Sequence, residues 1–354
     1  MKSNYDILGN HIRLIDTRNR ESITDRVLGI NIDKFFMPSV ANVIGTDLSK
    51  YKLITKGKFA CNPMHVGRDE RLPVALYDEE EPAIVSPAYF MFEVVDNSIL
   101  NEDYLMMWFR RPEFDRICWL HTDGSVRGGI TWDDICRLEL PIPPIENQLE
   151  IVNSYKAITE RIALKQKIND NLDDTAQTLY QKYFESNSDK SSWKQGTVGD
   201  VLQLQRGHDL PRTEMTGGKY PVAGSTGTIG YHDEFTAEAP VIVMGRSGNI
   251  GNPRLYLCNC WTHNTSLYVK QIYEAEPLWV FYLLKNLNYD GFVGGSAVPT
   301  LNRNDVHAYG IAIPPLELQK SFSQKVMSLI YCKEENLSEI EKLQELQKII
   351  LTTM

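Results

Sequence analysis

The feature that most constrains this chain is a short phrase that occurs twice. Residues 142–148 read IPPIENQ and residues 313–319 read IPPLELQ, an offset of 171 residues in a chain of 354. The preceding segments also agree, since GSVRGGITWDDICRLELPIPP begins at Gly124 and GSAVPTLNRNDVHAYGIAIPP begins at Gly295. Further upstream, YDILGNHIRLIDTRN resembles WKQGTVGDVLQLQRG. Similarity at a spacing of about half the chain predicts a divergent tandem repeat.

Each copy of the phrase predicts a change from a strand to a helix. A residue before proline favours extended backbone, whereas proline itself is tolerated in the first helical turn. Glu146 and Glu317 then lie where the helix dipole favours acidic side chains. The sequence therefore predicts an α+β protein of four parts: a first globular domain (1–144), a first spacer helix (145–186), a second globular domain (187–313) and a second spacer helix (314–354).

Both predicted helices carry apolar residues at heptad-like spacing. The predicted seam consists of Ile151, Tyr155, Ile158, Ile162, Leu172, Leu179, Phe322, Val326, Leu329, Ile340, Leu343 and Ile350. Two amphipathic helices could pack separately on their own domains. Their length favours pairing with each other, in which case the connectivity requires an antiparallel pair related by a pseudo-twofold axis. Polar residues at Lys165, Asn169, Lys333 and Asn336 would then fix the register of the pair.

Composition and charge set limits on function. With 42% hydrophobic and 23% charged residues and a net charge of −9, the chain has the composition of an ordinary globular protein. No apolar run reaches the roughly 18 residues of a membrane helix, and the first residues do not resemble a signal peptide, so we expect a cytoplasmic protein that does not contact a membrane. Residues 190–313 carry ten basic and ten acidic groups. Nucleic acid would therefore have to bind local patches rather than a basic arm.

The cysteines do not predict a disulfide framework or a metal site. The six cysteines lack the density of a disulfide-rich domain. Cys258, Cys260 and His263 in CNCWTH would supply three zinc ligands at an unusual spacing, without an obvious fourth. Residues that alternate between the faces of a strand explain this segment better, and we expect no metal.

Motifs for catalysis are absent from the sequence. Neither GxGxxG between a strand and a helix, nor GxxxxGK[ST], HExxH or GxSxG occurs. GSTGTIG (224–230) and GRSGNIG (245–251) are rich in glycine, but no long helix follows them, as a phosphate-binding loop would require. Their rhythm predicts turns between strands, and we expect no catalytic residue.

The same loops carry side chains that suit the edges of DNA bases. Arginine can bond guanine and asparagine can bond adenine in bidentate fashion, while serine serves either base. The candidate DNA-binding residues are Asn62, His65, Arg68, Ser125, Arg127, Ser225, Thr226, Arg246, Ser247, Asn249 and Ser296. In the alternative interpretation the glycines only shape turns and the arginines are solvated or salt-bridged surface groups. As sets of loops on twin domains, they favour recognition.

These residues together resemble the specificity subunit of type I restriction–modification systems. GSTGTIGYHDEF, VIVMGRSGNIG, GGSAVPTLN and IAIPPLELQ resemble the usual target recognition domain of that family. KGKFACNPMHVGRDERLPVAL, through WFRRPEFDR to GSVRGGITWDD, resembles another class of these domains. The resemblance covers essentially the whole chain, and its most specific elements are the domain order and the paired IPPxExQ.

The resemblance implies a non-catalytic reader of double-stranded DNA. Each α/β target recognition domain would read one half of a bipartite asymmetric target, and the antiparallel coiled-coil spacer would fix the gap between the halves. The helices would also dock two DNA adenine methyltransferase subunits, which restriction and translocase subunits would join. Cofactors are expected on those partners only, namely S-adenosylmethionine, ATP and Mg²⁺, in a bacterial or archaeal cytoplasm.

Two other interpretations differ from this one in kind. A fused methyltransferase or nuclease would need an NPPY-like motif, but CNPM at Cys61 lacks the second proline and the aromatic residue. An alternate or silent recombination partner, which assembles without binding DNA tightly, has the same sequence features and stays open. The family often carries further sequence after the second helix, so ILTTM at the end of this chain implies a short second spacer.

Overall fold

The computed structural model describes residues 4–40, 43, 45–64, 66–122, 128–289, 293–294 and 300–354, without the side chains of Arg68 and Val293. The chain divides into two units, the first of Met1–Leu164 with Glu339–Met354 and the second of Lys165–Ser338. Both boundaries fall inside long helices. Each unit therefore contains one section of each long helix.

The first unit is built mostly from short strands. Its strands are β1 (Tyr5–Ile7), β2 (Ile12–Ile15), β3 (Val27–Ile30), β4 (Phe36–Pro38), β5 (Lys52–Ile54), β6 (Lys58–Cys61), β7 (Val74–Tyr77), β8 (Ala83–Val85), β9 (Phe90–Val94) and β10 (Glu139–Pro141). Its short helices are α1 (Val66–Asp69), α2 (Glu102–Phe109), α3 (Pro112–Leu120) and α4 (Trp132–Cys136). The first long helix, α5 (Ile145–Tyr180), begins in this unit.

Two four-stranded sheets and a strand pair organise the first unit. One sheet has the order β2-β9-β6-β7 and is antiparallel throughout, and the other has the order β4-β3-β8-β5 with β3 and β8 parallel. The core forms where the aromatic residues of α2 and α3 cover the first sheet. Phe59 and Phe92 stack with ring centroids 5.0 Å apart, and Phe109 of α2 contacts both rings edge-on. β1 pairs with β10 next to the start of α5.

The second unit has more strands and fewer helices. Its strands are β11 (Lys194–Thr197), β12 (Leu202–Arg206), β13 (Tyr220–Gly224), β14 (Gly227–His232), β15 (Val241–Gly245), β16 (Gly251–Tyr256), β17 (Trp261–Thr262), β18 (Ser266–Ile272), β19 (Val293–Gly294), β20 (Thr300–Leu301) and β21 (Gly310–Ile313). Its short helices are α6 (Pro277–Asn286) and α7 (Arg303–His307). The second long helix, α8 (Leu316–Thr353), begins here.

Two sheets, a strand pair and an aromatic core organise the second unit. The antiparallel sheet has the order β12-β18-β15-β16, and a second sheet has the order β14-β13-β17. β11 pairs with β21 just before α8, as β1 pairs with β10 just before α5. An aromatic core joins α6 to both long helices, with Phe322 of α8 in contact with Tyr180, Tyr282 and Phe184. Phe184 lies in a π-helical turn (Gln181–Glu185) that follows α5.

In the first unit, the two helix sections pack antiparallel through apolar side chains. Ile162, Ile340 and Leu343 form a buried cluster against which Ile158 packs. At its rim, the side-chain amide of Gln347 donates to Thr159 Oγ1 at 2.7 Å. Burial of these branched side chains, each roughly 1.5–3 kcal/mol by area, holds the sections together.

In the second unit, the same helices meet through polar side chains. Asn169 and Asn336 are 5% and 8% exposed, and the amide of Asn336 donates to Asn169 Oδ1 at 2.9 Å. Lys165 Nζ donates to Asn336 Oδ1 at 2.9 Å, and Lys333 pairs with Asp173. The polar interruptions of the seam are therefore bonded, as buried polar groups must be.

The α+β prediction with two long helices is confirmed. The residues predicted for the seam are each buried or half-buried: Ile151, Tyr155, Ile158, Ile162, Leu172, Leu179, Phe322, Val326, Leu329, Ile340, Leu343 and Ile350. Helix α5 ends a few residues before 186, and β10 ends one residue before Ile142, whose backbone N–H still donates to Asn4. In the described part of the chain, no helix combines the length and apolar character that a membrane crossing requires.

Candidate functional site

Two tight turns of the second unit carry most of the described candidate residues. Ser225 and Thr226 connect β13 to β14, and GRSGNIG connects β15 to β16. A Cβ at Gly245 would lie 1.5 Å from the carbonyl oxygen of Asn249, so only glycine permits this turn to fold back on itself. Gly248, with φ of +78°, lies in the left-handed region that favours glycine. The turn presents the side chains between these glycines.

Hydrogen bonds fix the two turns to a third segment, residues 263–265. Ser225 N–H donates to Thr265 Oγ1 at 3.3 Å, and Arg246 N–H donates to the carbonyl of Thr265 at 3.0 Å. The side-chain amide of Asn249 donates to the carbonyl of Ser225 at 3.2 Å. We call this assembly the turn cluster, defined as residues 225–226, 246–249 and 263–265. Because its backbone is cross-linked, its side chains are held on a fixed frame.

Two arginines meet at the turn cluster. Strand β18 lies between β12 and β15, with Leu267 opposite both Arg206 and Met244, so the ends of β12 and β15 lie on either side of the same residue of β18. Partial burial, together with the positive charge of nearby Arg206, lowers the pKa of the Arg246 guanidinium. Within the described residues neither arginine forms an ion pair, and Arg246 has a long contact of 3.5 Å with the carbonyl of Asn264. Two uncompensated cations at one edge form an anion-attracting site.

The other polar groups of the turn cluster differ in how far they are already engaged. Ser247 forms an isolated bridge with Thr300 and is half-buried, whereas Thr226 is exposed. Asn249 Oδ1 accepts a hydrogen bond from the side chain of Asn252 at 2.8 Å. Asn264 donates to Asp209. Asn249 therefore already has partners for its amide nitrogen and its oxygen, whereas the described hydrogen bond of the Arg246 guanidinium is the long contact with Asn264.

In the first unit, only part of the predicted site lies within the described residues. Asn62 is half-buried, and its Oδ1 accepts the backbone N–H of Met64 at 3.1 Å, which shapes the turn before α1. Arg68 lies in α1, and its side chain is outside the description. His65, Ser125, Arg127 and Ser296 lie outside the described residues. The structure therefore brings together Ser225, Arg246, Ser247 and Asn249, and it places Asn62 in a separate unit.

Sequence reasoning missed Arg206, Asn264 and Thr265. Arg206 ends strand β12, forty residues before Arg246, and the sheet order brings both to the same end of strand β18. The available signal was the glycine after Arg206, whose Cβ would lie 2.1 Å from the carbonyl oxygen of His263. That close approach fixes the end of β12 against the turn cluster.

The three candidate zinc ligands of CNCWTH have different surroundings. Cys260 is buried in a bridge with Ala237, Cys258 is exposed, and the His263 ring bonds Thr265 Oγ1 at 2.9 Å. Among the described residues, no group of three or more histidine, cysteine or acidic side chains could hold a metal ion.

The turn cluster lies in a part of the chain that matches a known protein family. Residues 190–349, which contain the whole turn cluster and α8 up to Ile349, match the family model of the type I restriction modification DNA specificity domain. This part of the chain is similar to a type I DNA specificity domain. The recognition of the specificity-subunit family in the sequence is thereby confirmed.

Relatives of full length extend the match to the first half. The protein assigned as the MjaX type I restriction enzyme specificity subunit of Methanocaldococcus jannaschii is 21% identical over 396 aligned positions, which cover 99% of this chain and 88% of that protein. The type I S subunit of M. genitalium superposes with a TM-score of 0.60 at 17% identity, covering 98% of this chain and 94% of that one. A chain from a structural study of complex assembly and conformational transition of the type I restriction–modification system superposes with a TM-score of 0.52 at 16% identity, covering 98% and 96%. At these identities the superpositions establish a shared fold.

Proposed function

We propose that this chain is the DNA sequence-recognition subunit of a type I restriction–modification complex, and that each globular domain reads one half of a bipartite target. The observation that carries the proposal is the turn cluster, a cross-linked set of loops in the region that matches a DNA specificity domain. It carries Arg246 and lies near Arg206, and neither arginine forms an ion pair among the described residues. A target whose halves are separated by unspecified base pairs requires two independent readers.

The two arginines are proposed to have different tasks. Arg246 is half-buried on a cross-linked backbone, so its guanidinium can meet the acceptor edge of a guanine at a defined position. Arg206 is exposed at the strand end, where a flexible charged side chain suits a phosphate. Ser225, Thr226, Ser247 and Asn249 would contribute smaller contacts. In the first domain, Asn62, His65, Arg68, Ser125 and Arg127 are the proposed counterparts, and Ser296 belongs to the second.

The partners of this function are proposed from the family. Two adenine methyltransferase subunits would bring S-adenosylmethionine, and restriction subunits would bring ATP-driven translocation with Mg²⁺. The relationship to type I S subunits and to a chain from a type I assembly study supports this arrangement. The chain itself would bind no cofactor and catalyse no step, and the complex would act in the cytoplasm.

Co-expression with a type I adenine methyltransferase subunit encoded in the same genome tests the proposal. Single-molecule sequencing of the host DNA should find methylated adenine in a bipartite motif with a fixed gap, and deletion of this gene should abolish it. Unmodified DNA despite a stable complex would support the silent recombination partner instead. If no complex forms and no motif is methylated, the proposed function is wrong.

The motif then allows the arginines to be separated. Replacement of Arg246 by alanine should cost about 1–3 kcal/mol of discrimination at one base pair of one half-site. Replacement of Arg206 by alanine should weaken binding to all sequences alike and reduce the salt dependence by about one phosphate contact. Arg212, an exposed arginine of the same unit outside the turn cluster, is the matched control. Uniform loss in Arg246→Ala would reassign that residue to a phosphate.

A further inference from the structure

The last residue of each IPPxExQ phrase is a buried glutamine. Gln148 is 0% exposed and Gln319 is 1% exposed, although each lies in the first turns of a long helix that is otherwise half open to solvent. A side-chain amide removed from water is costly unless its donors and its acceptor are bonded. The partners of these two amides therefore indicate why glutamine stands there.

Gln148 bonds the segment that starts helix α2. Its Nε2 donates to the carbonyl of Ile99 and to the carbonyl of Pro143, both at 2.8 Å. Its Oε1 accepts the backbone N–H of Asn101 at 2.9 Å. Asn101 is the N-cap of α2, and its own side chain accepts the N–H of Tyr104 at 3.0 Å. One side chain thus joins the first turns of α5 to the first turn of α2.

Gln319 repeats this arrangement in the second unit. Its Nε2 donates to the carbonyl of Pro314 at 2.9 Å, and its Oε1 accepts the backbone N–H of Glu276 at 2.9 Å. Glu276 is the N-cap of α6, as Asn101 is of α2. Two of the three contacts therefore recur at equivalent atoms, although the helices α2 and α6 differ in sequence.

Only an amide satisfies both ends of this contact. The nitrogen side faces carbonyl oxygens and needs a donor, while the oxygen side faces an N–H and needs an acceptor. A carboxylate would place negative oxygen against the carbonyls, and a hydrocarbon would leave all of these groups without a partner. Helices α2 and α6 carry buried core residues of their domains, so each glutamine ties a domain core to a spacer helix.

We propose that Gln148 and Gln319 are positioning residues that fix how each recognition domain is held on its spacer helix, and that they thereby set the gap length the protein accepts. This inference rests on the proposed function, because it concerns a bipartite target. The glutamines do not read bases. They determine at which separation the two readers are presented.

The test replaces each glutamine by leucine and, separately, by glutamate in the complex with the methyltransferase. Asn147→Leu and Gln324→Leu are matched controls, since both residues are exposed on the same helices. Methylation is measured on duplexes that carry the wild-type gap or a gap one base pair longer or shorter. We expect the preference for the wild-type gap to fall by about tenfold in the glutamine variants, with the sequence of each half-site unchanged, and to stay unchanged in the controls.

A second measurement tests the hydrogen bonds of the two glutamines directly, in the chain without its partners. Hydrogen exchange of the Asn101 amide should accelerate in the Gln148 variants, and that of Glu276 in the Gln319 variants. Folded variants that keep the wild-type gap preference, or that keep slow exchange at these amides, would overturn the inference. If the wild-type complex reads no bipartite target, the proposed function fails, whereas amide exchange still tests the contact.

Discussion

The two units share a frame but fill it with different chemistry. In both, a capped short helix is followed by a strand that pairs with the first strand of the unit and leads into the long helix. The N-cap of the short helix is Thr131 in one unit and Asn302, 171 residues later, in the other. A glycine packs against the end of each short helix. Gly9 approaches Cys136, and Gly199 approaches His307, which is again 171 residues later. The backbone is repeated, whereas an apolar cysteine is replaced by a titratable histidine.

The sections of the long helices also carry apolar residues in the first unit where the second unit has polar ones. At an offset of 171, Ile162 and Ile340 of the first unit correspond to Lys333 and Asn169 of the second. The isoleucines pack against each other, whereas the polar residues bond Asp173 and Asn336. The two units therefore share the helical backbone at these positions. Apolar side chains make the contact in the first unit, and hydrogen-bonded polar side chains make it in the second. The cost of removing an apolar side chain increases with the volume of the cavity that is left. Removal of one partner of a hydrogen bond instead leaves a buried polar group unpaired, which carries the full cost of its lost hydration.

The largest effect is expected from the apolar section. Ile162→Ala should lower the free energy of unfolding by about 3 kcal/mol, because it removes buried methyl groups and leaves a cavity. Urea unfolding followed by tryptophan fluorescence measures the change. Leu164→Ala is the matched control, since Leu164 is 59% exposed on the same helix and should change stability by less than about 0.5 kcal/mol.

Equal losses in the two variants would break the comparison. They would mean that the cluster of Ile162, Ile340 and Leu343 does not hold the sections of the first unit together, and that helix propensity decides the stability of α5 there.

A smaller effect with a distinctive rescue is expected from the polar section. Asn336→Ala should cost about 2 kcal/mol, because Asn169 and Lys165 lose a bonding partner inside the seam. Replacement of both Asn169 and Asn336 by leucine should recover most of this loss, since neither polar group then remains buried. Urea unfolding of the single and double variants, with exposed Glu335→Ala as control, measures it. A double variant less stable than Asn336→Ala would show that the amide pair is itself stabilising.

Much of this frame could be predicted from the sequence because it rests on local signals. Proline after an extended residue, acid in the first turn and an unbroken heptad pattern predict α5 and α8 without knowledge of their partners. The heptad pattern also shows the polar interruptions at Lys165 and Asn336. That they bond each other, and that Gln148 reaches the N-cap of α2, depends on residues distant in the chain. No periodicity encodes such contacts.

The candidate site was predictable only in part, for the same reason. GRSGNIG predicts a turn from its glycines, and Arg246 follows from that turn. Arg206 joins it through the strand order β12-β18-β15, which short sequence patterns do not specify. Asn62 is a candidate reader by its residue type and position, yet its oxygen already accepts a local N–H. Turn-forming and base-reading asparagines look alike in sequence.

The smallest expected effect is a pH dependence of stability that arises from His307 in the second unit. His307 Nε2 accepts the backbone N–H of Leu204 at 2.8 Å, which requires a neutral ring, and burial together with Arg303 lowers the pKa of His307. The unfolded chain, with a histidine pKa of about 6.5, then binds the proton more tightly than the folded chain. This contribution is therefore complete above about pH 6.5 and is lost as the pH falls through the lower folded pKa.

His307→Gln tests this sign, because a glutamine oxygen can accept the same N–H without titrating. Between pH 7.5 and pH 5, the wild-type protein should lose about 1 kcal/mol more unfolding free energy than the variant. Cys136→Ala at the equivalent position of the first unit should show no such pH-dependent difference from wild type. A difference of opposite sign at His307 would mean that the protonated ring is favoured in the folded protein. The neutral imidazole would then not be the anchor of β12, the strand that ends in Arg206.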